Sequence, residues 1–347
     1  MSYEYERVAT PAGGLRLHLN ENTAGCSPTV LDVLRNMTRA DAALYPDYTA
    51  AIDACAQRFR VDASRVALTN GLDEGILAAA VVAARGGAGL HEAIVVVPAF
   101  DMYAACADAA GARVVTVPVD STFELRAERV LAAMTARTRI VFLTNPNNPT
   151  GRRLPDEAIV GIAEAAPHAT VFVDEAYADF PFFTFLDHPA FGRLDNVVVG
   201  RTFAKAYGLA GLRAGALIAS SRALESLRRV IPPYSLNASA ALALPAALGD
   251  RDYYAWYVSQ VTESRELLYA ALSRLGVEHW TSDANFVLAR FGGRHRDVID
   301  GLAARNIHVR DRSRDPGCAG CIRITAGVVE HTRACVTAIE EVLCGAA

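Results

Sequence analysis

Runs of consecutive apolar residues alternate with amphipathic stretches along the chain from about residue 48 to residue 220. The runs that read as strands are 65–70, 93–100, 113–119, 139–145, 170–177, 196–203 and 214–220. Most of the intervals between them show a 3.6-residue period of apolar positions, as in DEGILAAAVVAA, MYAACADAAG and PDEAIVGIAEAA. Continuous apolar strands separated by helices predict a mainly parallel, seven-stranded sheet with helices on both faces, that is, a three-layer α/β domain.

The pattern changes after residue 221. Helical periodicity and then short apolar runs occupy four segments, 222–230, 250–276, 285–291 and 321–327. They predict a second, smaller α+β domain, which the N-terminal segment, with no strong strand of its own, is expected to join. The predicted division is a large domain over 45–240 and a small domain formed by 1–44 and 241–347.

Composition and charge exclude several classes of protein. The 347 residues are 52% hydrophobic with a formal net charge of -4, and arginines are spread along the chain, so we expect no basic face for nucleic acid. The longest apolar run, near ILAAAVVAA, is shorter than the roughly 20 residues of a membrane span, and the N-terminal MSYEYERVATPAGG has no signal pattern. We expect a cytoplasmic protein that binds neither nucleic acid nor a membrane.

The cysteines are an odd, scattered set of seven, which indicates reduced thiols rather than a disulfide framework. Cys318 and Cys321 are spaced as CxxC. A single such pair is more typical of an incidental loop feature than of a zinc or redox site, so no metal is predicted.

Polar residues gather where the predicted strands end. Leu72 and Asp73 follow the first strand and open a helix, whose free N–H groups suit a phosphate. TNPNNPTG at 144–151 ends another strand in a rigid turn, and Asp174 and Tyr177 follow the next. Ligands of open α/β sheets bind at the carboxyl ends of the strands, so these groups are expected to share a site. Taken singly, each has a plainer explanation as a turn, a helix cap or a core residue.

The segment RTFAKAYGLAGLRAG at 201–215 follows a further strand and brings Thr202, Lys205 and Arg213 to the same edge. In isolation, Lys205 would be explained as a side chain that extends to solvent. A lysine amine near an aspartate and a phosphate cradle is the arrangement that pyridoxal phosphate needs, because the amine forms a Schiff base and the carboxylate partners the pyridinium nitrogen. The coincidence of these groups predicts a pyridoxal-phosphate site.

The motifs NPNNPTG, DEAY, RTFAKAYGLAGLRAG and CIRITAG, in this order and spacing, resemble those of the fold type I pyridoxal-phosphate-dependent aminotransferases of class I and II. Within that family they are most similar to the histidinol-phosphate aminotransferases. The resemblance extends from LHLNEN at 17–22 to the last helix.

This resemblance implies catalytic roles for three residues. Lys205 matches the lysine that binds the cofactor covalently and, once the substrate amine displaces it, moves a proton between the substrate Cα and the cofactor. Asp174 matches the carboxylate that keeps the pyridine nitrogen protonated. Tyr177, with Asn148, matches the pair that hydrogen-bonds the ring hydroxyl oxygen of the cofactor.

The resemblance also implies how the rest of the cofactor is bound. The phosphate cup is formed by Thr202, Arg213 and the backbone of Leu72 and Asp73. Phe100 matches the aromatic residue that stacks on the cofactor ring. Tyr45 matches a tyrosine that reaches the phosphate site of the neighbouring subunit, which implies a homodimer with shared active sites.

For the substrate, Arg323 matches the arginine that binds the anionic group, and Arg310 matches a second arginine of the histidinol-phosphate enzymes. The resemblance places Asn22 and Asn148 beside the substrate as well. Asn285 and Tyr234 also occupy familiar positions, although core packing explains Tyr234 equally well.

Two positions depart from the family pattern. Ala24, in NENTAG, stands where relatives have a tyrosine that approaches the substrate phosphate, so one hydroxyl hydrogen-bond donor is missing. The identity of the substrate that donates the amino group therefore stays open. Ala204 stands where many relatives have a serine that helps to hold the cofactor phosphate, a role that Thr202 could absorb.

The resemblance implies amino transfer between an L-amino compound and 2-oxoglutarate, with histidinol phosphate or a related amino acid as the other partner. Two alternatives remain. Lyases and decarboxylases of the same fold use the same cofactor, and a regulatory protein could keep the fold without catalysis. Lys205 argues against the regulatory protein, and the sequence discriminates only weakly against the lyase.

Overall fold

The computed structural model of the chain describes residues 13–85 and 90–345. The N-terminal stretch on which the expectation about a signal sequence rests lies mostly outside these residues. The strands are β1 (Leu15–Leu17), β2 (Val66–Asn70), β3 (Glu92–Val97), β4 (Arg113–Pro118), β5 (Thr138–Thr144), β6 (Thr170–Asp174), β7 (Val197–Thr202), β8 (Ala214–Ala219), β9 (Glu278–His279), β10 (Phe286–Arg290), β11 (Ile307–Asp311) and β12 (Cys321–Thr325).

The helices alternate with the strands of the first half of the chain and dominate the second half. They are α1 (Pro28–Arg35), α2 (Arg39–Ala43), α3 (Thr49–Phe59), α4 (Leu72–Ala84), α5 (Met102–Ala109), α6 (Ala127–Ala133), α7 (Asp156–Ala165), α8 (Ser221–Arg228), α9 (Ala238–Gly249), α10 (Arg251–Arg274), α11 (His295–Ala304) and α12 (Val329–Cys344).

The seven predicted strands form one sheet in the order β2-β8-β7-β6-β5-β3-β4, and all of them are parallel except β8. The predicted mainly parallel sheet is therefore confirmed. Two predicted runs extend past their strands: β3 ends at Val97, before Pro98, which cannot donate to the ladder, and β6 ends at Asp174. Phe142 and Phe172, on adjacent strands, are fully buried in the core of this sheet.

Helices cover both faces of the sheet. The crossovers through α4 and α5 run towards the β4 edge, and those through α6 and α7 run back. Because such crossovers are right-handed, the two pairs lie on opposite faces. The contacts agree, since α4 packs against α5 and α8, whereas α6 packs against α7. The three-layer architecture is as predicted.

A second, five-stranded sheet has the order β1-β11-β12-β10-β9. The strands β10 and β12 correspond to the two short apolar runs of the sequence, and α10 and α12 pack together beside them. The hydropathy pattern does not predict β1, which has only three residues and is held by parallel pairing with β11. This pairing joins the N-terminal segment to the C-terminal sheet, as expected, while the numerical domain boundaries stay a prediction.

Within the described ranges, no helix is long and apolar enough to cross a membrane. The same residues contain no cluster of three or more His, Cys, Asp or Glu side chains that could bind a metal ion. Cys318 and Cys321 are buried free thiols packed with Phe123 and Leu288.

Candidate active site

A cavity of about 150 Å³ lies where β5, β6 and β7 end and α4 begins. Nine of the ten predicted cofactor residues line it: Leu72, Asp73, Phe100, Asn148, Asp174, Tyr177, Thr202, Lys205 and Arg213. They come from five separate segments, and the sheet brings these together because its parallel strands end at one edge.

Asp174 lies at the bottom of the cavity, at the last position of β6, and is 3% exposed. Its Oδ2 accepts a hydrogen bond of 2.6 Å from the Tyr103 hydroxyl, and its Oδ1 accepts one of 2.9 Å from the Ala176 N–H. Burial raises the pKa of Asp174 to about 6, and the two hydrogen bonds oppose this increase. The carboxylate is therefore suited to a cationic partner inside the cavity.

Lys205 follows β7 in an irregular segment and is half-buried. Its Nζ donates to the Leu19 carbonyl at 2.9 Å and lies 5.8 Å from the centre of the Tyr177 ring. Lys205 is also the only lysine in the sequence. The one primary amine of a side chain is thus in the cavity that contains Asp174.

The N-terminus of α4 forms an anion cradle. Gly71, with a φ of 76°, precedes the helix, and among the described residues no side chain caps the first N–H groups, at Leu72 and Asp73. The Arg213 guanidinium lies over this turn, 2.9 Å from the Asp73 carboxylate. A Cβ at residue 71 would come within 2.5 Å of Arg213 Nη2, so glycine is needed there for steric as well as conformational reasons. Backbone N–H groups and a guanidinium together suit a phosphate.

Tyr177 and Asn148 close another side of the cavity. The Tyr177 hydroxyl accepts a hydrogen bond of 3.0 Å from Asn20 Nδ2, and Asn20 Oδ1 in turn accepts one from Thr325 Oγ1 at 3.0 Å. Asn148 Oδ1 accepts a hydrogen bond from Arg323 Nη1. The cavity is therefore connected to the second sheet through β12.

The two predicted substrate arginines are directly opposite each other on adjacent antiparallel strands, Arg310 on β11 and Arg323 on β12. Arg323 is 5% exposed, its Nη2 donates to the His18 carbonyl at 2.7 Å, and burial lowers its pKa. Arg310 is half-buried and makes no ion pair with the residues that the structure describes. Neither arginine lines the cofactor cavity, but Arg323 reaches its wall through Asn148.

The remaining predicted residues lie outside the cofactor cavity. Tyr45 is 78% exposed and stacks on Tyr234, with 4.3 Å between the ring centres. Asn22 donates to the Ala206 carbonyl at 3.0 Å, accepts from the Ala24 N–H, and lines a neighbouring cavity. Asn285 donates to the Asn20 carbonyl at 3.1 Å.

Sequence reasoning missed three residues at or beside the site, namely Tyr103, Thr144 and Asn20. Tyr103 lines the cavity and binds Asp174, and Thr144 Oγ1 donates to its hydroxyl at 2.9 Å. Tyr103 follows Phe100 by three residues, close to one helical turn, and this spacing indicates that the two side chains point in the same direction. Asn20 positions Tyr177, and no spacing in LHLNEN indicates that contact.

These residues fit pyridoxal phosphate. The cradle at α4 matches its phosphate, Lys205 matches its aldehyde, and the buried Asp174 carboxylate matches its ring nitrogen, which is a cation when protonated. The fold and this arrangement define a pyridoxal-phosphate enzyme.

Comparison with known proteins identifies the family. Residues 13–339 match the family model of aminotransferase class I and II, and the chain belongs to that family. It is 35% identical to histidinol-phosphate aminotransferase 2 of Ralstonia nicotianae, over 95% of this chain and 88% of that protein. It is 32% identical to the histidinol-phosphate aminotransferase of Methanococcoides burtonii, over 96% of this chain and 91% of that protein.

The fold comparison agrees. The crystal structure of the histidinol-phosphate aminotransferase of Sinorhizobium meliloti in complex with pyridoxal-5'-phosphate superposes with a TM-score of 0.85 at 26% identity, covering 96% of this chain and 92% of that chain. Aspartate aminotransferase of Thermus thermophilus shares the fold at 22% identity. The chain is a pyridoxal-phosphate-dependent aminotransferase, as predicted.

Proposed function

We propose that the enzyme transfers the amino group of histidinol phosphate to 2-oxoglutarate, a step of histidine biosynthesis. The observation that carries this proposal is the contact of Arg323 with Asn148, because it places a buried guanidinium, with Arg310 beside it, at the wall of the cofactor cavity. The names of the relatives point to the same substrate.

The roles of the site residues are part of this proposal. When bound, the cofactor supplies an electron sink for the negative charge that develops at the substrate Cα. Lys205 is the base that takes the Cα proton and returns it, since its amine lies in the cofactor cavity and is freed once the substrate amine takes its place. Asp174 keeps the ring nitrogen protonated, and Tyr177 with Asn148 donates to the ring hydroxyl oxygen. Thr202, Arg213 and the N–H groups of Leu72 and Asp73 hold the phosphate, and Phe100 covers the ring.

Arg323 and Arg310 bind the anionic group of the substrate, while Asn22 and Asn148 line the substrate pocket.

We further propose a cytoplasmic homodimer in which the exposed Tyr45 reaches the partner's phosphate site. The exposed stack of Tyr45 on Tyr234 supports this, since a large aromatic surface left open on one chain favours a protein contact. The two-domain division at residues 45 and 240 belongs to the same proposal.

A substrate test follows directly. Purified enzyme loaded with the cofactor should form glutamate from histidinol phosphate and 2-oxoglutarate, with a higher kcat/KM than from histidinol, phenylalanine, aspartate or phosphothreonine. Good turnover of another amine with none of histidinol phosphate would reject the proposed substrate and would point to Ala24 as the altered position. Release of product without any 2-oxo acid would instead support a lyase.

The role of Lys205 can be tested in the same preparation. Borohydride reduction should attach the cofactor to the wild-type chain at Lys205, because no other lysine competes. The Lys205→Arg variant should bind the cofactor without covalent attachment and lose activity by about three orders of magnitude or more, as expected for removal of a general base. Cofactor attached to the Lys205→Arg chain after reduction would contradict the assignment.

A further inference from the structure

A histidine lies next to the two substrate arginines. In β1, Leu17 pairs with Val309 of β11, so His18, the next residue, is at the level of Arg310, which in turn pairs with Arg323 of β12. The His18 ring lies 6.2 Å from the ring of His308, which is two positions before Arg310 and so points to the same face of β11. His18, directly after β1, therefore forms a row with Arg310 of β11 and Arg323 of β12. The hydrogen bond from Arg323 Nη2 to the His18 carbonyl confirms that the ends of the row are close.

The His18 ring makes no hydrogen bond that would explain it as a structural residue of the described part of the chain. The residue is 2% exposed, and neither of its ring nitrogens has a hydrogen-bond partner among them. The Nε of Arg323 is buried and unpartnered in the same way. An unpaired buried polar group costs roughly 1–3 kcal/mol, so these donors are expensive unless a ligand satisfies them.

The charges around the ring specify the ligand. The groups facing His18 are Arg16, His308, Arg310 and Arg323, of which Arg16 is paired with Glu21 at 2.6 Å. Burial, and secondarily the charges of Arg16, His308, Arg310 and Arg323, lower the pKa of His18 to about 4, so at neutral pH the ring is neutral and carries one N–H donor. The His18 N–H donor lies at one end of a row that continues with two guanidinium groups, and a guanidinium cannot accept a hydrogen bond. Since neither ring nitrogen has a partner among the described residues, an anionic oxygen supplies the missing acceptor.

The geometry points to His18 as a third ligand of the substrate's anionic group, one that favours a phosphomonoester over a carboxylate. A phosphomonoester has three terminal oxygens for Arg323, Arg310 and His18, whereas a carboxylate has two, which the arginines can satisfy alone. This inference rests on the proposed function, since it concerns the same arginines, and it makes His18 a specificity-determining residue.

The test uses the loaded enzyme, three substitutions of His18 and one control substitution. His18→Leu should raise the KM for histidinol phosphate by about tenfold, the factor expected for one hydrogen bond to a charged group, while kcat and the KM for glutamate in the reverse half-reaction stay within about twofold. His18→Asn and His18→Gln retain an N–H donor, and at least one should recover most of the loss. His308→Leu is the matched control, because that ring lies 6.2 Å away and has Asn306 as its own neighbour.

Equal increases in both KM values, or an unchanged KM for histidinol phosphate in a His18→Leu enzyme with wild-type thermal stability, would overturn the inference. If the wild-type enzyme fails to use histidinol phosphate, the proposed function falls, but His18 can still be tested by competition. Inorganic phosphate should then inhibit glutamate turnover more weakly in His18→Leu than in wild type, by about tenfold, with inhibition by acetate unchanged. Equal inhibition by phosphate would reject the role of His18 separately.

Discussion

The Tyr103 hydroxyl donates a hydrogen bond of 2.6 Å to Asp174 Oδ2, joining the first turn of α5 to the end of β6. Burial raises the pKa of Tyr103 well above its ordinary value, so the phenol stays protonated and remains a donor. Thr144 Oγ1 donates to the same hydroxyl oxygen and fixes its orientation. The carboxylate assigned to the cofactor ring is thus held in its ionised form by a second residue that stands behind it.

Tyr103→Phe should weaken catalysis without removing any group that touches the substrate. Loss of a donor that favours the charged carboxylate raises the pKa of Asp174 further, so the acidic limb of the kcat profile should move to higher pH. At neutral pH we expect kcat to fall by about tenfold, a typical cost for a hydrogen bond to a charged group. Steady-state kinetics between pH 5 and pH 9 measure both effects, and a uniform loss with an unmoved limb would contradict them.

Asp174 should also make the stability of the cofactor-free chain depend on pH. The pKa of Asp174 in the folded state, about 6, exceeds its ordinary value of 3.8, so the folded state binds this proton more tightly than the unfolded state does. Its stabilising contribution is therefore full below pH 4 and is lost as pH rises to 6. Two pKa units correspond to about 3 kcal/mol.

Urea unfolding of the cofactor-free wild type and of Asp174→Asn at pH 4.5 and pH 7 provides the measurement. The free energy of unfolding of the wild type relative to the variant should be lower at pH 7 than at pH 4.5. This difference between the two pH values should become smaller once pyridoxal phosphate is added to both proteins. If the free energy of unfolding of the wild type relative to the variant does not vary with pH, burial does not raise the pKa of Asp174.

Most of this architecture can be predicted from the sequence, because strands buried on both faces appear as uninterrupted runs of apolar residues. Helix α9 escapes prediction because ASAALALPAALG is apolar all round and contains Pro245, so it has no amphipathic period to detect. Several of the residues that line the cavity are predicted correctly as neighbours because NPNNPTG, DEAY and RTFAK are contiguous motifs. Tyr103 and Asp174 are 71 positions apart, and His18 meets Arg323 across 305, so only the packing of the strands reveals those contacts.

Gly71→Ala should damage the phosphate cradle. The new Cβ would lie 2.5 Å from Arg213 Nη2, and the φ of 76° disfavours any L side chain, so the guanidinium must move away from α4. We expect the Kd for pyridoxal phosphate to rise by about tenfold or more, corresponding to at least 1.4 kcal/mol. Equilibrium dialysis measures it. Gly161→Ala on α7, where a Cβ meets nothing within 4 Å, is the control and should leave the Kd unchanged; equal affinities in the two variants would show that the cradle tolerates a side chain.

The segment that carries Lys205 is anchored at its start by a buried ion cluster. Arg201 is 3% exposed and pairs with Glu175 at 3.0 Å and with Asp179 at 2.9 Å. Arg58 joins Asp179 to the Tyr207 hydroxyl, which anchors the segment again two residues past the lysine. We therefore expect the position of the amine to depend on charges that lie behind the cavity rather than in it.

Arg201→Met should consequently destabilise the fold and loosen the cofactor together. Removing one partner leaves two buried carboxylates short of a counter-charge, which costs about 3–5 kcal/mol in the free energy of unfolding. The control, Arg193→Met, breaks an exposed pair with Glu164 of 2.6 Å and should cost less than about 1 kcal/mol. Urea unfolding separates the two variants. Cofactor affinity should fall in Arg201→Met alone, because only that substitution frees the backbone leading to Lys205. If the Arg201→Met chain is destabilised but binds the cofactor as tightly as wild type does, the lysine is positioned independently of the ion cluster.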